Sequence, residues 1–119
     1  MAYLKLSPEY ECSPLWISPD NNIYENLAIE ASPFDGLLKK RLTDWAEKFE
    51  GTLDQDYPPD SGFKTVPEEK DFERAGVDIW KDILSHHPKD YEKVFFSSYL
   101  LKKLYSDLSA YENDLRNIR

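Results

Sequence analysis

Three aspartates in one short loop have the residue type and spacing of a possible ligand site. Asp54, Asp56 and Asp60 lie in the segment DQDYPPDSGF, residues 54–63. Carboxylates at alternate positions bind calcium in helix-loop-helix sites, which also need a glycine at the sixth position for a sharp turn. Here prolines occupy the fifth and sixth positions, so the calcium pattern fails. We therefore expect no metal and no other cofactor, and the aspartates remain available to a different partner.

The other side chains that could do chemistry have simpler structural roles. His86 and His87 are adjacent near the end of a predicted helix, where imidazoles hydrogen-bond the last carbonyls. Ser97 and Ser98 lack a glycine-flanked nucleophile elbow, and no glycine-rich phosphate loop is present. Cys12 is the only cysteine, and a lone cysteine is most often a small core residue. We predict that the protein is not an enzyme.

The charge of the chain is strongly negative. Twenty-three Asp and Glu against fifteen Lys and Arg give a formal net charge of -8. A negative surface repels phosphate backbones, so we expect no nucleic-acid binding; a basic protein partner is the natural complement, and a purely solubilising charge is the alternative. The first residues lack a signal-peptide pattern, and no stretch approaches the roughly eighteen apolar residues of a membrane span. We therefore expect a cytoplasmic protein without membrane contact.

Two helices are predicted on either side of the aspartates. Ser32 is the expected N-cap of the first helix, and Gly51 its stop. Its apolar residues recur every three or four positions and form one stripe: Phe34, Leu38, Leu42, Trp45 and Phe49. The second helix starts at Thr65, with the Thr-x-x-Glu capping pattern, and ends before Pro88. Gly76 costs this helix about 1 kcal/mol relative to alanine, which predicts close packing against the first helix.

The remaining segments are shorter and less regular. Residues 3–6 and 10–17 are rich in aromatic and apolar residues but interrupted by prolines, so we expect edge strands or extended loops. Residues 19–22 predict a turn, and residues 23–31 a connection. Residues 91–97 are typical of a short strand because of their aromatic and β-branched content.

The C-terminal part predicts a third helix. Apolar residues spaced by three or four positions indicate an amphipathic helix over residues 98–117. A continuous helix from Asp90 onward is an open alternative, because a seven-residue apolar repeat extends through the strand candidate. The expected fold is α+β, a single domain over residues 1–119 with two packed antiparallel helices, a C-terminal helix and a small β-sheet. A mainly α fold is the alternative.

Several segments, taken in order, resemble a known family. They are PLW at 14–16, LLKKRLTDWAEKFE at 37–50, TLDQDYPPDSGF at 52–63 and FERAGVDIWKDIL at 72–84. In this order they resemble small bacterial immunity proteins that are encoded beside polymorphic toxins, including those of contact-dependent growth inhibition systems. The resemblance extends from residue 14 to about residue 97. Its most specific parts are Trp45 and the proline pair followed by Ser61-Gly62-Phe63. We expect the two prolines and Ser61-Gly62-Phe63 to fix the conformation of the loop.

The resemblance implies that the protein binds a cognate toxin C-terminal domain, frequently a nuclease, and blocks its active site or its substrate surface. We hypothesise a one-to-one complex in which carboxylates meet Lys and Arg of the toxin. The competing hypothesis is an acidic adaptor or regulatory subunit that binds another basic protein. The sequence does not decide whether the toxin is an RNase or a DNase, nor does it give the oligomeric state. The candidate contact residues, chosen for charge and expected exposure, are Asp54, Asp56, Tyr57 and Asp60, with Asp20 and Glu25 as further candidates.

Overall fold

The computed structural model describes residues 1–118, which form three α-helices and a five-stranded mixed sheet. Helices α1, α2 and α3 span Gly36–Glu50, Val66–His86 and Leu108–Arg116. Strands β1 to β5 span Tyr3–Leu6, Leu15–Ser18, Glu25–Leu27, Lys93–Ser98 and Lys103–Tyr105. Short 3-10 turns lie at Ile29–Ala31 and Pro58–Asp60. The predicted α+β class is confirmed.

The N-terminal strands lie inside the sheet and not at its edges. The strand order is β3-β2-β1-β4-β5, with β1 antiparallel to β2 and parallel to β4. The expectation of edge strands was therefore wrong for β1 and β2. Pro8 and Pro14 lie in the β1–β2 connection, where proline removes no donor from the ladder. The segment 23–31, expected as a connection, contains β3. This strand pairs antiparallel with β2, at the edge of β2 that is not paired with β1.

All three helices pack on the same face of the sheet. The ring of Phe96 on β4 contacts one aromatic ring from each helix: Trp45 on α1 at 6.4 Å, Trp80 on α2 at 5.3 Å and Tyr111 on α3 at 5.8 Å between centroids. On β1, buried leucines alternate with half-buried residues, as expected for a strand with one face in the core. One hydrophobic core therefore lies between the sheet and the helices.

Helices α1 and α2 run antiparallel, as predicted. Arg41, early in α1, pairs with Asp82, late in α2. Trp45, further along α1, stacks on Phe72 near the start of α2 and donates its indole N–H to the Phe72 carbonyl at 3.0 Å.

Of the helices that residues 1–118 form, none combines the length and the apolar character that crossing a bilayer requires.

The N-cap predicted for α2 is confirmed, whereas the N-cap of α1 differs from the prediction. Thr65 caps α2, and its hydroxyl accepts the N–H of Glu68 at 3.3 Å. The cap of α1 is Asp35, whose carboxylate accepts the N–H of the third helical residue at 2.8 Å. The expectation of Ser32 was wrong, because its hydroxyl donates to the carbonyl of Ile29 at 2.6 Å and closes the preceding 3-10 turn.

The predicted C-terminal helix is correct only from residue 108 onward. The strand expected over residues 91–97 is confirmed as β4, whereas the next residues form a turn and β5. The backbone N–H groups of Tyr99 and Leu100 donate to the carboxylate of Glu73 at 2.9 and 3.3 Å, so α2 supplies the acceptor for this turn. Lys102 adopts a left-handed φ of 54° in the turn. A continuous helix and a mainly α fold are therefore wrong.

Gly76 lies at the closest approach between α2 and its neighbours. A Cβ atom placed there would be 2.6 Å from Cζ2 of Trp45 and 2.9 Å from Cε1 of Phe96. Both neighbours are rings held in the core, so neither has room to move away. The close packing predicted for Gly76 is confirmed.

We predict that Gly76→Ala lowers the free energy of unfolding by about 1–3 kcal/mol, because overpacking outweighs a helix-propensity gain of about 1 kcal/mol. Gly36→Ala is the matched control, since a Cβ atom at Gly36 meets nothing within 4 Å. This control is expected to be neutral or slightly stabilising. Urea unfolding followed by tryptophan fluorescence measures both effects. Equal stability of Gly76→Ala and the wild type would contradict the close packing.

Candidate functional site

The aspartate loop, residues 54–63, is organised by the first of its aspartates. The Asp54 carboxylate accepts the backbone N–H groups of Asp56 and Tyr57, each at 3.0 Å. The N–H of Asp54 donates to the hydroxyl of Ser61 at 2.8 Å, which brings the two ends of the loop together. Asp54, a predicted contact residue, therefore shapes the loop.

The other end of the loop is attached to the core. Gly62 has a φ of 134°, which favours glycine, and its N–H donates to the carbonyl of Thr52 at 3.1 Å. Phe63 packs on Phe72 and Tyr99 with centroids 4.9 and 5.3 Å apart. The expectation that Ser61-Gly62-Phe63 fixes the connection is confirmed.

Three of the predicted contact residues are exposed on this fixed loop. Asp56 and Asp60 are exposed, and 57% of the surface of Tyr57 is open to solvent. Because the loop backbone is held at both ends, these side chains extend from a defined surface. They form the first part of the candidate site.

Asp20 and Glu25, the other two predicted contact residues, do not lie on the aspartate loop. Asp20 follows β2, whose last residue, Ser18, lies opposite Tyr3 at the start of β1. The aspartate loop packs on Tyr99, which follows the end of β4, and β4 runs parallel to β1. Asp20 and the loop therefore lie at opposite ends of the sheet. The Asp20 carboxylate accepts a backbone N–H two residues later at 3.0 Å, in the predicted turn, and Glu25 is exposed on β3.

A groove of about 530 Å³ forms the second part of the candidate site, and we call it the glutamate groove. One wall is a second face of α1, whose residues recur at helical spacing: Thr43, Ala46, Glu47 and Glu50. The other wall comes from residues 11–14 and from residues between 26 and 30. Pro14, Ile29 and Ala46 are among the residues that give it an apolar floor.

Four carboxylates surround the floor of the glutamate groove. They belong to Glu11, Glu30, Glu47 and Glu50, and neither Lys nor Arg is among the lining residues. The Glu50 carboxylate accepts the N–H of Glu11 at 2.9 Å. Among residues 1–118, the carboxylates of the other three glutamates form no ion pair, and the ammonium group of Lys39 donates to the backbone carbonyl of Glu30 at 3.2 Å. The groove therefore concentrates negative potential over an apolar surface.

The wall opposite α1 is held together by hydrogen bonds. The side chain of Asn26 accepts the N–H of Ser13 at 3.1 Å and donates to the carbonyls of Ser13 and Leu15 at 2.8 and 3.0 Å. Pro14 is buried beneath this connection. Cys12, expected in the core, is exposed at the same wall, because Pro14 and Leu15 provide the apolar contacts of the segment.

Sequence patterns did not reveal the glutamate groove. Its carboxylates come from the β1–β2 connection, from the 3-10 turn after β3 and from α1, and no spacing rule joins these segments. The one available signal was the second stripe of α1, which recurs at the same interval as the buried stripe. On its own, such a stripe is typical of a solvated helix face.

His86 has the predicted structural role at the last carbonyls of α2, whereas His87 bonds a carboxylate instead of a carbonyl. Nδ1 of His86 lies 3.0 Å from the carbonyl of Asp82, in the last turn of α2. Nδ1 of His87 lies 2.6 Å from the carboxylate of Asp90. Over residues 1–118, no group of three or more His, Cys, Asp or Glu side chains has the arrangement to hold a metal ion.

A buried polar cluster surrounds Glu73, in which a serine hydroxyl and a tyrosine hydroxyl bond one carboxylate. The Glu73 carboxylate accepts the hydroxyls of Ser98 and Tyr111, each at 2.6 Å. Only 3% of the surface of Glu73 and of Ser98 is exposed, and the Ser98 hydroxyl also accepts the N–H of Leu101 at 2.9 Å. Both side chains are therefore almost entirely removed from solvent. The cluster joins α2, the β4–β5 turn and α3.

Comparison with protein families matches residues 2–98 to one family model, which is described as Serratia CdiI immunity protein-like. The matched region contains both the aspartate loop and the glutamate groove, and it ends at the last residue of β4. The expected limit near residue 97 agrees with this boundary, and β5 and α3 lie beyond it. Comparison with curated proteins found no match.

We predict that the protein loses stability above about pH 10 because two buried tyrosines keep their protons in the folded state. Burial, with the hydrogen bond to Asp114, raises the pKa of Tyr105 to about 12. Burial, with the hydrogen bond to Glu73, raises the pKa of Tyr111 far above its usual range. The unfolded chain releases both protons near pH 10, so this stability is complete below pH 10 and is lost as the pH rises toward the folded pKa values.

Urea unfolding at about pH 8, 10 and 11 measures the effect. The double variant Tyr105→Phe/Tyr111→Phe cannot release these protons, so its loss of stability between pH 10 and 11 should be smaller than that of the wild type. Each tyrosine contributes at most about 1.4 kcal/mol per pH unit. Identical slopes for the two proteins would contradict the raised pKa values, whatever the difference in their stability at pH 8.

Proposed function

The chain belongs to the Serratia CdiI immunity protein-like family, and we propose that it neutralises a cognate toxin domain by binding it one to one and covering its active site or its substrate surface. The observation that carries the proposal is the family match over residues 2–98. We further propose that the toxin is a nuclease and that binding occurs in the cytoplasm, where its nucleic-acid substrate lies.

The charge of the chain supports a nuclease partner. A nuclease presents Lys and Arg to phosphate groups, and a protein with a formal net charge of -8 complements such a surface. Opposite charges accelerate association and disfavour partners of the wrong charge pattern. An inhibitor that meets a toxin inside its own cell benefits from both effects.

The aspartate loop supports the proposal as a contact surface. Asp56 and Asp60 are exposed, and Asp54 holds the backbone that carries Asp56. A loop that is already ordered loses little conformational entropy on binding. Tyr57 is also exposed on this loop, and aromatic side chains are favoured in interface centres. We therefore propose Asp56, Tyr57 and Asp60 as direct contacts, with Asp54 as their support.

We predict that the reading frame immediately upstream encodes the toxin domain and that this chain protects cells from it. Expression of the toxin domain alone should reduce survival, and co-expression of this chain should restore it, whereas an empty vector should not. An unrelated toxin should remain lethal in the presence of this chain. If the upstream toxin domain kills equally well with and without this chain, the proposal is wrong. If the upstream frame encodes no toxin, the acidic adaptor is favoured.

We predict that Asp56→Lys with Asp60→Lys weakens toxin binding about tenfold and makes the affinity less sensitive to salt. Asp54 is left intact because its carboxylate holds the loop backbone. The double variant Asp78→Lys/Glu112→Lys, at exposed positions of α2 and α3, changes the net charge equally and should retain most of the affinity. Calorimetric titration at two salt concentrations measures the difference. Equal losses in both double variants would show that only net charge matters.

A further inference from the structure

We propose that the glutamate groove receives a basic segment of the toxin domain, with an Arg or Lys side chain whose stem lies on the apolar floor and whose charged group lies among the four carboxylates. This inference rests on the proposed function, because the occupant belongs to the toxin. It adds a surface that is separate in sequence from the aspartate loop and was not among the expected contact residues.

The shape of the groove suits such a side chain. Pro14, Ile29 and Ala46 line the floor, and the carboxylates stand around it. Arg and Lys bury their aliphatic stems on apolar surface while the charged group stays in a polar environment. The volume of about 530 Å³ exceeds that of one side chain, and the groove is open to solvent, so a segment on the surface of a partner can enter it.

The charge of the groove selects a cation. Four glutamates line one groove together with neither Lys nor Arg, and the ammonium group of Lys39 lies beside it, donating to the backbone carbonyl of Glu30 at 3.2 Å. Because carboxylates outnumber this cation, a basic segment is attracted and an acidic segment is repelled. A neutral apolar segment would cover the floor without using the charge. The observed arrangement therefore fits a basic occupant.

The groove is already formed in the free protein. Asn26 makes three hydrogen bonds to Ser13 and Leu15, and the Glu50 carboxylate, on the wall formed by α1, accepts the N–H of Glu11 from the other wall. Glu11 has a left-handed φ of 64°, so this contact fixes a backbone conformation that is otherwise uncommon for glutamate. Preformed walls reduce the entropy lost on binding.

The groove also continues into the aspartate loop. Tyr10, next to Glu11, bonds through its hydroxyl to the hydroxyl of Thr52 at 2.7 Å. The N–H of Leu53, just before the loop, donates to the carbonyl of Glu50 at 3.1 Å. The end of the groove at Glu11 and Glu50 therefore adjoins the start of the loop, and one toxin domain is able to cover both.

The first test fills the groove without changing charge. Ala46→Trp places an indole on the floor and should weaken binding of the purified toxin domain about a hundredfold, as expected when a central contact is lost. Ala110→Trp is the matched control, because Ala110 is exposed on α3, away from the groove. Its affinity should stay within about twofold of the wild type. Circular dichroism and thermal unfolding establish that each variant is folded.

The second test removes negative charge from the groove without adding bulk. If Ala46→Trp does not fold, this test alone shows whether the groove contacts the toxin. Glu30→Gln with Glu47→Gln should weaken binding about tenfold and reduce its salt dependence. The control Asp78→Asn/Glu112→Gln removes the same charge from α2 and α3 and should bind like the wild type within about twofold. Calorimetric titration of the full-length variants with the toxin domain gives the affinities.

The outcomes separate this inference from the proposed function. If the wild-type chain binds and neutralises the toxin while the folded groove variants bind equally well, the groove is not a contact and the function stands. Loss confined to the Asp56→Lys/Asp60→Lys variant would place the toxin on the loop alone and would also overturn the groove. If the wild-type chain does not bind the toxin domain, the proposed function fails, and the inference fails with it.

Discussion

Glu73 connects three parts of the chain through one buried carboxylate. It lies on α2, accepts two backbone N–H groups of the β4–β5 turn and accepts the hydroxyls of Ser98 and Tyr111. A buried carboxylate is costly unless its hydrogen-bonding capacity is used, and here four donors use it. The turn, the end of β4 and α3 must therefore all be in place around α2. The last helix is therefore held by a buried hydrogen bond from Tyr111 to this side chain as well as by apolar packing.

The sequence predicted those elements whose signals are local. Helices α1 and α2 follow their apolar stripes, and Gly76 showed where they approach closely. The C-terminal prediction failed because leucines at helical spacing continue through a hairpin, and the acceptor that holds this hairpin, Glu73, is distant in sequence. The central position of β1 was missed for a similar reason. Strand neighbours depend on pairing partners, and the partner β4 lies at the far end of the chain.

The candidate site shows the same division between local and distant information. The aspartate loop could be found from its composition, whereas the role of Asp54 depends on hydrogen bonds that form only in the folded loop. Asp20 and Glu25 were joined to the loop by charge alone, and the register of β1 places Asp20 at the opposite end of the sheet. The glutamate groove could not be predicted, because three unconnected segments supply its carboxylates. A binding surface assembled by tertiary structure leaves little trace in any one segment.

The parallel pairing of β1 with β4 also determines when the fold is complete. These strands are neighbours in the sheet although β2, β3, α1 and α2 lie between them in the chain. Pairing between distant segments closes a long loop, and proteins with such pairings fold more slowly than helical bundles do. During synthesis, both long helices leave the ribosome before the strand that completes the sheet beneath them. The aspartate loop and the glutamate groove therefore lie on a fold that is complete only after β4, residues 93–98, has paired with β1 near the start of the chain.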